Sequence, residues 1–204
     1  MKSTLKKRLS EYAAVVFDMD GTLYFQTPVR VCMFLEMLLH FWCVREFFVV
    51  QQYRKLYELG LTDQERFALL SFDAPQIVND WMLVRPMKYV RRFRDKELLS
   101  LIRTLRGQGV KIIVYSDYPL DAKLNAVELA PDYAYYAGDK IISCQKPNPK
   151  GLLSIIAEIN EKPENIAFIG DKFEKDGLCA DAVGINYAIL PKSAKARNSI
   201  YKKI

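Results

Sequence analysis

Hydrophobic residues in this chain fall into short unbroken runs separated by stretches with helical spacing. The first run, Ala13-Ala14-Val15-Val16-Phe17, stops abruptly at Asp18-Met19-Asp20-Gly21-Thr22-Leu23. A run of that length, bounded by turn residues, predicts a strand buried on both faces inside a parallel sheet. After residue 95 the pattern alternates. Leu98, Leu101, Ile102 and Leu105 recur at helical spacing, Gly107 and Gly109 end that helix, and Val110 to Tyr115 runs apolar into Ser116-Asp117. The alternation continues with a helix near 120–129, a strand near 133–137, a helix near 149–160, a strand at 166–170, a helix near 175–182 and a last strand near 185–190. About five parallel strands with interleaved helices predict an α/β fold with a doubly wound sheet.

Between the first and second strands the signals are helical only. Thr27 reads as an N-cap with Pro28 at the first helical position, Gly60 as a stop, and Thr62-Asp63-Gln64-Glu65 as a capping box. The stretch from Pro28 to Leu59 is longer than an ordinary globular helix, so a break is expected near Cys43 to Arg45. The predicted organisation is a sheet-based core of 1–24 and 91–204 with a helical insertion at 25–90, reaching over the carboxyl ends of the strands.

At 204 residues the length suits one α/β domain with a smaller appendage. The early Lys2, Lys6, Lys7 and Arg8 precede an apolar run too short for a secretory signal. No run reaches membrane-spanning length, since Val31 to Val50 is interrupted by Glu36, His40, Arg45 and Glu46. Cys32, Cys43, Cys144 and Cys179 form no CxxC pair, so reduced thiols in a cytoplasmic setting are expected. The formal charge is +6, with Arg85, Lys88, Arg91, Arg92, Arg94 and Lys96 clustered and a basic tail from Lys192 to Lys203. No nucleic-acid module accompanies these residues, so both stretches read as solvated faces and nucleic acid is not an expected partner.

Three of the predicted strands end in polar residues at one edge: Asp18 and Asp20, then Ser116 and Asp117, then Gly170 and Asp171. The carboxyl edge of a parallel sheet is where such folds bind ligands. Alternation along a strand would turn Asp18 and Asp20 the same way, a pair suited to one hard cation such as Mg²⁺. Lys146 lies in Gln145-Lys146-Pro147-Asn148-Pro149, and Asp176 closes Gly170-Asp171-Lys172-Phe173-Glu174-Lys175-Asp176. In order, spacing and context this set resembles the four motifs of the haloacid dehalogenase superfamily. The first, DxDGT, is highly specific; GDxxxxD is moderately so, and the Ser-Asp and Lys-Pro motifs are weak alone.

The resemblance implies a phosphatase-like hydrolase in which Asp18 attacks phosphorus to form an aspartyl-phosphate. Asp18, the backbone carbonyl of Asp20 and Asp171 would hold Mg²⁺, and the Asp20 side chain would act as general acid and then base. Ser116, Asp117 and Lys146 would serve the phosphoryl group, and Asp176 would stand behind Lys146 or a metal-bound water. Each weak motif keeps a plain alternative: Ser116 as a strand-end turn residue, Lys146 as a surface lysine, Asp176 as a helix cap.

The second acid directs the reading toward phosphate esters, since family dehalogenases, phosphonatases and transport ATPases carry other residues there. A small phosphorylated metabolite is the expected substrate. A phosphomutase is the alternative, although His40, the only histidine, reads as a packed residue of an apolar helix. A non-catalytic binding or regulatory domain on the same fold is the second. The helical cap would set specificity. Its aromatics (Phe34, Phe41, Trp42, Phe47, Phe48, Tyr53, Tyr57 and Trp81) are expected mostly to form its own core, and Arg30, Arg45 and Arg54 are the candidate substrate contacts.

Overall fold

The computed structural model describes residues 3–39, 44–142 and 144–202. Its frame is a five-stranded, all-parallel sheet: β1 (Ala14–Phe17), β2 (Lys111–Ser116), β3 (Tyr133–Tyr136), β4 (Ile166–Gly170) and β5 (Asn186–Ile189), in the order β3-β2-β1-β4-β5. The doubly wound α/β architecture read from the apolar runs is the one observed. Phe17 is in register with Val114 on one side and Ile169 on the other, so the ends of β1, β2 and β4 lie level. The strand order reverses direction at β1. That reversal opens the crevice where doubly wound sheets bind ligands.

Two compact units make up the chain: Met1–Phe25 with Arg94–Ile204, and Gln26–Phe93. In the first, helices α6 (Lys96–Gly107), α7 (Asp121–Val127), α8 (Lys150–Ile159) and α9 (Leu178–Val183) alternate with the strands. One face of the sheet packs Val16, Ile113, Tyr115 and Phe168 against Leu152 and Ile155 of α8 and Ala180 of α9. The two chain connections leave this unit side by side. Asp95 N donates to Leu23 O at 2.9 Å, and Tyr24 and Arg94 form an antiparallel bridge.

The second unit is helical, with α1 (Gln26–Leu39), α2 (Val44–Glu58), α3 (Asp63–Ala68), α4 (Ala74–Val78) and α5 (Met87–Arg92). Thr62 forms the expected capping box with Glu65, and Gly60 takes a left-handed φ of +82° after α2. α1 begins at Gln26, so Thr27 sits inside its first turn instead of capping it. The long apolar segment is two helices, the second starting at Val44; Cys43, His40, Phe41 and Trp42 lie outside the described residues.

The cap aromatics depart from expectation. Tyr53 and Trp81 are buried, but Phe34, Phe47 and Phe48 are exposed, as are Val31, Leu35 and Leu38 on the same face of α1 as Phe34. Among the described residues of this unit Val49, Val50, Ala74, Ile77 and Trp81 form a small core cluster, and each helix buries only one side. The basic cluster is partly occupied within the fold: Lys88 and Arg85 face Glu36 at 3.0 and 3.7 Å, and Arg94 pairs with Glu128 at 3.3 Å.

In the basic tail Lys192, Lys195 and Lys202 are exposed as expected, and the correction concerns Arg197. The tail forms a helix, α10 (Ala194–Tyr201), whose Arg197 is only 2% exposed. Among the described residues Cys32, Cys144 and Cys179 are free thiols, and no helix is long and apolar enough to cross a membrane.

Candidate active site

β1 ends at Phe17, and Asp18 still pairs with the sheet by donating its N–H to Ile169 O at 2.9 Å. The chain then turns through Met19–Leu23, where Thr22 and Leu23 both donate to Met19 O and Gly21 takes a φ of +95°. Only glycine fits there. Beyond the left-handed backbone, a Cβ on Gly21 would collide with the Asp171 carboxylate.

Because the strand has already ended, Asp18 and Asp20 do not converge as strand alternation suggested. The Asp18 carboxylate joins those of Asp171 and Asp176, oxygens of all three lying within 4.8 Å of one another. The Asp20 carboxylate instead meets Lys123 Nζ at 2.6 and 2.7 Å and accepts a hydrogen bond from the Tyr24 hydroxyl.

Lys146, 3% exposed, stands between two of the clustered acids. Its Nζ is 2.5 Å from Asp18 Oδ1 and 2.7 Å from Asp176 Oδ1, and it lies near the Tyr115 and Phe168 rings. This is no surface lysine. Burial opposes its charge, but Asp176, Asp18 and Asp117 outweigh burial and hold its pKa well above the ordinary lysine value. Asp18 is pushed up to about 8, first by burial, with Asp176 and Asp171 adding to the shift and Lys146 opposing it. Burial, with help from Asp176, also raises Asp171. For Asp20 burial acts in the same direction, yet the charge and hydrogen bonds of Lys123, with the Tyr24 hydroxyl, bring its pKa below the usual carboxylate range.

The remaining expected residues sort by what they touch. Asp176 uses its second oxygen to accept from the backbone N–H groups of Asp171 and Lys172, at 3.1 and 3.0 Å, so it orders the loop after β4 while facing Lys146. Gly170 leaves the room for this, since a Cβ there would overlap the Asp176 side chain. Ser116 is fully buried at the end of β2, and its Oγ accepts from Tyr118 N at 3.1 Å, which leaves the hydroxyl proton to donate elsewhere.

Asp117 does not present its carboxylate as a phosphate site. One oxygen accepts from Lys146 N at 3.0 Å and the other meets Lys175 Nζ at 2.7 Å, so it anchors the lysine segment. In the helical unit Arg45 is engaged by Asp73 through two 2.7 Å bonds, Arg30 is exposed and Arg54 half-buried.

The sequence reading missed Lys123 and Arg197. Lys123 falls in the stripe Leu120, Lys123, Leu124, Val127, where a charge on an apolar face is the signal. Arg197 carried no comparable signal within a run of basic residues. It donates to the carbonyls of Thr22 (2.9 Å), Pro191 (2.7 Å) and Gly21, and pairs with Asp95 at 3.0 Å.

Three clustered carboxylates stand against one ammonium, and the repulsion of neighbouring carboxyls adds to the burial that raises Asp18 and Asp171. All-oxygen donors in such a cluster fit a hard divalent cation of the Mg²⁺ kind.

The balance sets an expectation for Lys146→Met. Removing the only ammonium between Asp18 and Asp176 should lower stability by about 3–5 kcal/mol, the range for breaking one side of a buried ion pair. Chemical denaturation in EDTA measures this. A carboxyl whose folded pKa lies above its unfolded value binds extra protons when folded. Asp18 does so below about pH 8 with or without Lys146, and without the lysine it keeps its proton to still higher pH, so the deficit should grow as pH rises above about 8.

The sequence matches the family model for haloacid dehalogenase-like hydrolases over residues 12–184. Among curated proteins none matches it significantly. Solved structures share the fold at low identity. A HAD-hydrolase of Bacillus subtilis, YfnB, bound to magnesium, aligns with TM-score 0.60 and 16% identity over 88% of this chain and 87% of that one. CbbY of Rhodobacter sphaeroides in complex with phosphate gives 0.59 and 20% over 90% and 88%. A 2-haloacid dehalogenase of Pseudomonas syringae gives 0.59 and 17% over 86% and 85%. Identities this low speak for the fold alone, whereas the family match spans every strand-end motif from Asp18 to Asp176, and on that match the chain belongs to the haloacid dehalogenase-like hydrolases.

Proposed function

We propose that this hydrolase is a phosphatase acting on a small phosphorylated metabolite through an aspartyl-phosphate on Asp18. The observation that carries the reading is the separate housing of the two acids at the end of β1. Asp18 sits in the acidic cluster with Lys146, and Asp20 sits apart with Lys123. A nucleophile and a proton carrier need different surroundings, and here they have them.

Asp18, Asp171 and the Asp20 carbonyl would hold Mg²⁺, with Asp176 ordering the loop beneath. When bound, the ion would offset negative charge on the phosphoryl oxygens and on Asp18. Asp18 attacks phosphorus as the bond to the leaving oxygen breaks, and Asp20 supplies that oxygen's proton. Water then attacks the aspartyl-phosphate, Asp20 takes the water's proton, and Asp18 is released as carboxylate with inorganic phosphate. Lys146 would stabilise negative charge throughout, and the Ser116 hydroxyl would donate to a phosphoryl oxygen. The Lys123 and Tyr24 contacts favour the ionised Asp20, the form that accepts a proton in the second half.

A dehalogenase is a less suitable reading because Asp20 would have no leaving alkoxide to protonate. A mutase is not favoured by any described residue of the helical unit. We read the unit Gln26–Phe93 as the cap that selects the substrate, with Arg30 and Arg54 as its candidate contacts; Arg45 is already held by Asp73.

A panel of phosphorylated metabolites assayed with and without Mg²⁺ tests the activity. Turnover should vanish in EDTA and in Asp18→Asn, because an amide is a poor nucleophile and a weaker ligand; an active Asp18→Asn protein would remove Asp18 from the nucleophile role. Asp20→Asn should lower kcat by about 10² to 10⁴ while Mg²⁺ affinity, measured by calorimetry, stays close to wild type. Equal losses in rate and affinity would show that the Asp20 side chain is itself a ligand. Arg30→Ala and Arg54→Ala should change the preference among metabolites and spare hydrolysis of p-nitrophenyl phosphate. A parallel fall on both kinds of substrate would place these arginines in stability.

A further inference from the structure

Lys123 is a buried cation whose contact with Asp20 does more than favour the ionised acid. It sits in the middle of α7 beside Leu124 and Val127, is 7% exposed, and is 103 residues from the acid it meets. Its Nζ reaches both oxygens of Asp20, at 2.7 and 2.6 Å, and the Tyr24 hydroxyl takes Oδ1 as well. Burying a lysine on an apolar helix face is unfavourable unless a partner compensates it, and the partner here is a carboxylate read as reactive. By contrast Arg45 and Asp73 pair with side chains 61% and 44% exposed, where such contacts contribute little.

A carboxylate attached after the end of a strand can rotate about two side-chain bonds. An ammonium held on the buried face of α7 and gripping both oxygens removes that freedom. We propose that Lys123 is a positioning residue, fixing the Asp20 carboxylate in the orientation from which it exchanges a proton with the leaving oxygen and then with water. Lys123 itself neither attacks phosphorus nor binds the metal, and it acts through Asp20 alone. The inference rests on the phosphatase reading and on the role given there to Asp20.

The consequence is specific to the leaving group. Loss of Asp20 alignment matters most when the departing oxygen needs a proton, as in phenyl phosphate, and least when it leaves readily, as in p-nitrophenyl phosphate. A lysine that merely secured α7 would affect both esters alike.

The experiment measures kcat and KM on these two esters at saturating Mg²⁺ for wild type, Lys123→Met, Lys123→Arg, Asp20→Asn and the double variant Asp20→Asn with Lys123→Met. Lys123→Met should lower kcat/KM on phenyl phosphate, which reports the steps up to the aspartyl-phosphate, by about 10- to 100-fold, the size seen when groups that orient functional ligands are removed, with a smaller loss of kcat/KM on p-nitrophenyl phosphate. Lys123→Arg should recover part of the rate. In the Asp20→Asn background the lysine substitution should cost nothing more, because the group it positions is already gone. With an active wild type, an unchanged kcat/KM in Lys123→Met, equal losses of kcat/KM on the two esters, or the same loss with and without Asp20 would each overturn the inference alone. A wild type inactive on both esters would overturn the phosphatase reading and this inference with it.

Discussion

The ammonium of Lys146 between Asp18 and Asp176 is the interaction on which the edge of the sheet depends. Three carboxylates converge where β1 and β4 end, and without a cation among them mutual repulsion and burial would drive them apart or protonate them. Two unit charges about 4 Å apart interact by several kcal/mol at the effective dielectric of a protein interior, enough to decide the local conformation. The lysine is itself placed by a relay. Lys175 pairs with one oxygen of Asp117, whose other oxygen accepts from the backbone of Lys146, and Asp176 passes the order on to the amides of Asp171 and Lys172. Four side chains thus fix two loops. None of them needs to touch a substrate to matter.

Arg197 performs the corresponding service for the turn that follows Asp20. Its guanidinium binds the carbonyls of Gly21 and Thr22 and pairs with Asp95, which Tyr201 also reaches at 2.8 Å. Asp95 in turn caps α6 by accepting from Leu98 N at 3.1 Å. The places where the chain leaves and re-enters the sheet-based unit are therefore tied to one buried cation from the last helix. Phe25, the final residue before the helical unit, lies under the same guanidinium. A planar donor with five N–H groups suits this convergence of carbonyls and carboxylate in a way that a lysine would not.

The core elements were legible because β1, β4 and the 112–115 centre of β2 are short apolar runs bounded by turn residues, the pattern of a strand buried on both faces. The strand-end acids were legible as a set for the same reason: once the strands are known, their carboxyl ends are known. What spacing could not say was which way each side chain turns after the strand stops. Period-two alternation sent Asp18 and Asp20 together, and the turn at Gly21 sends them apart. Asp117 shows the same limit, since its position after β2 is shared with phosphate contacts while its partners, Lys175 and the Lys146 backbone, come from distant sequence. Arg197 lay beyond pattern reading because a buried cation and a solvated one are the same letter, whereas Lys123 did carry a signal, a charge on the apolar stripe of α7. The cap aromatics were misread through an assumption of thickness. A small core cluster cannot enclose every apolar face that its helices carry.

Two acids separated by one residue therefore end in opposite electrostatic conditions. Asp18 is raised by burial and by two neighbouring carboxyls, whereas Asp20 is lowered by a lysine and a tyrosine that together outweigh burial. The difference is stored in the protein before any ligand arrives. A cation held by the Asp18 and Asp171 carboxylates would relieve the repulsion that raises Asp18, so proton and metal compete for the same oxygens, and metal affinity must weaken as pH falls. Asp20 stands outside that competition because its carboxylate is already satisfied by Lys123 and Tyr24. The acid that would answer to the metal and the acid that would move protons are thereby decoupled, although the backbone places them two residues apart.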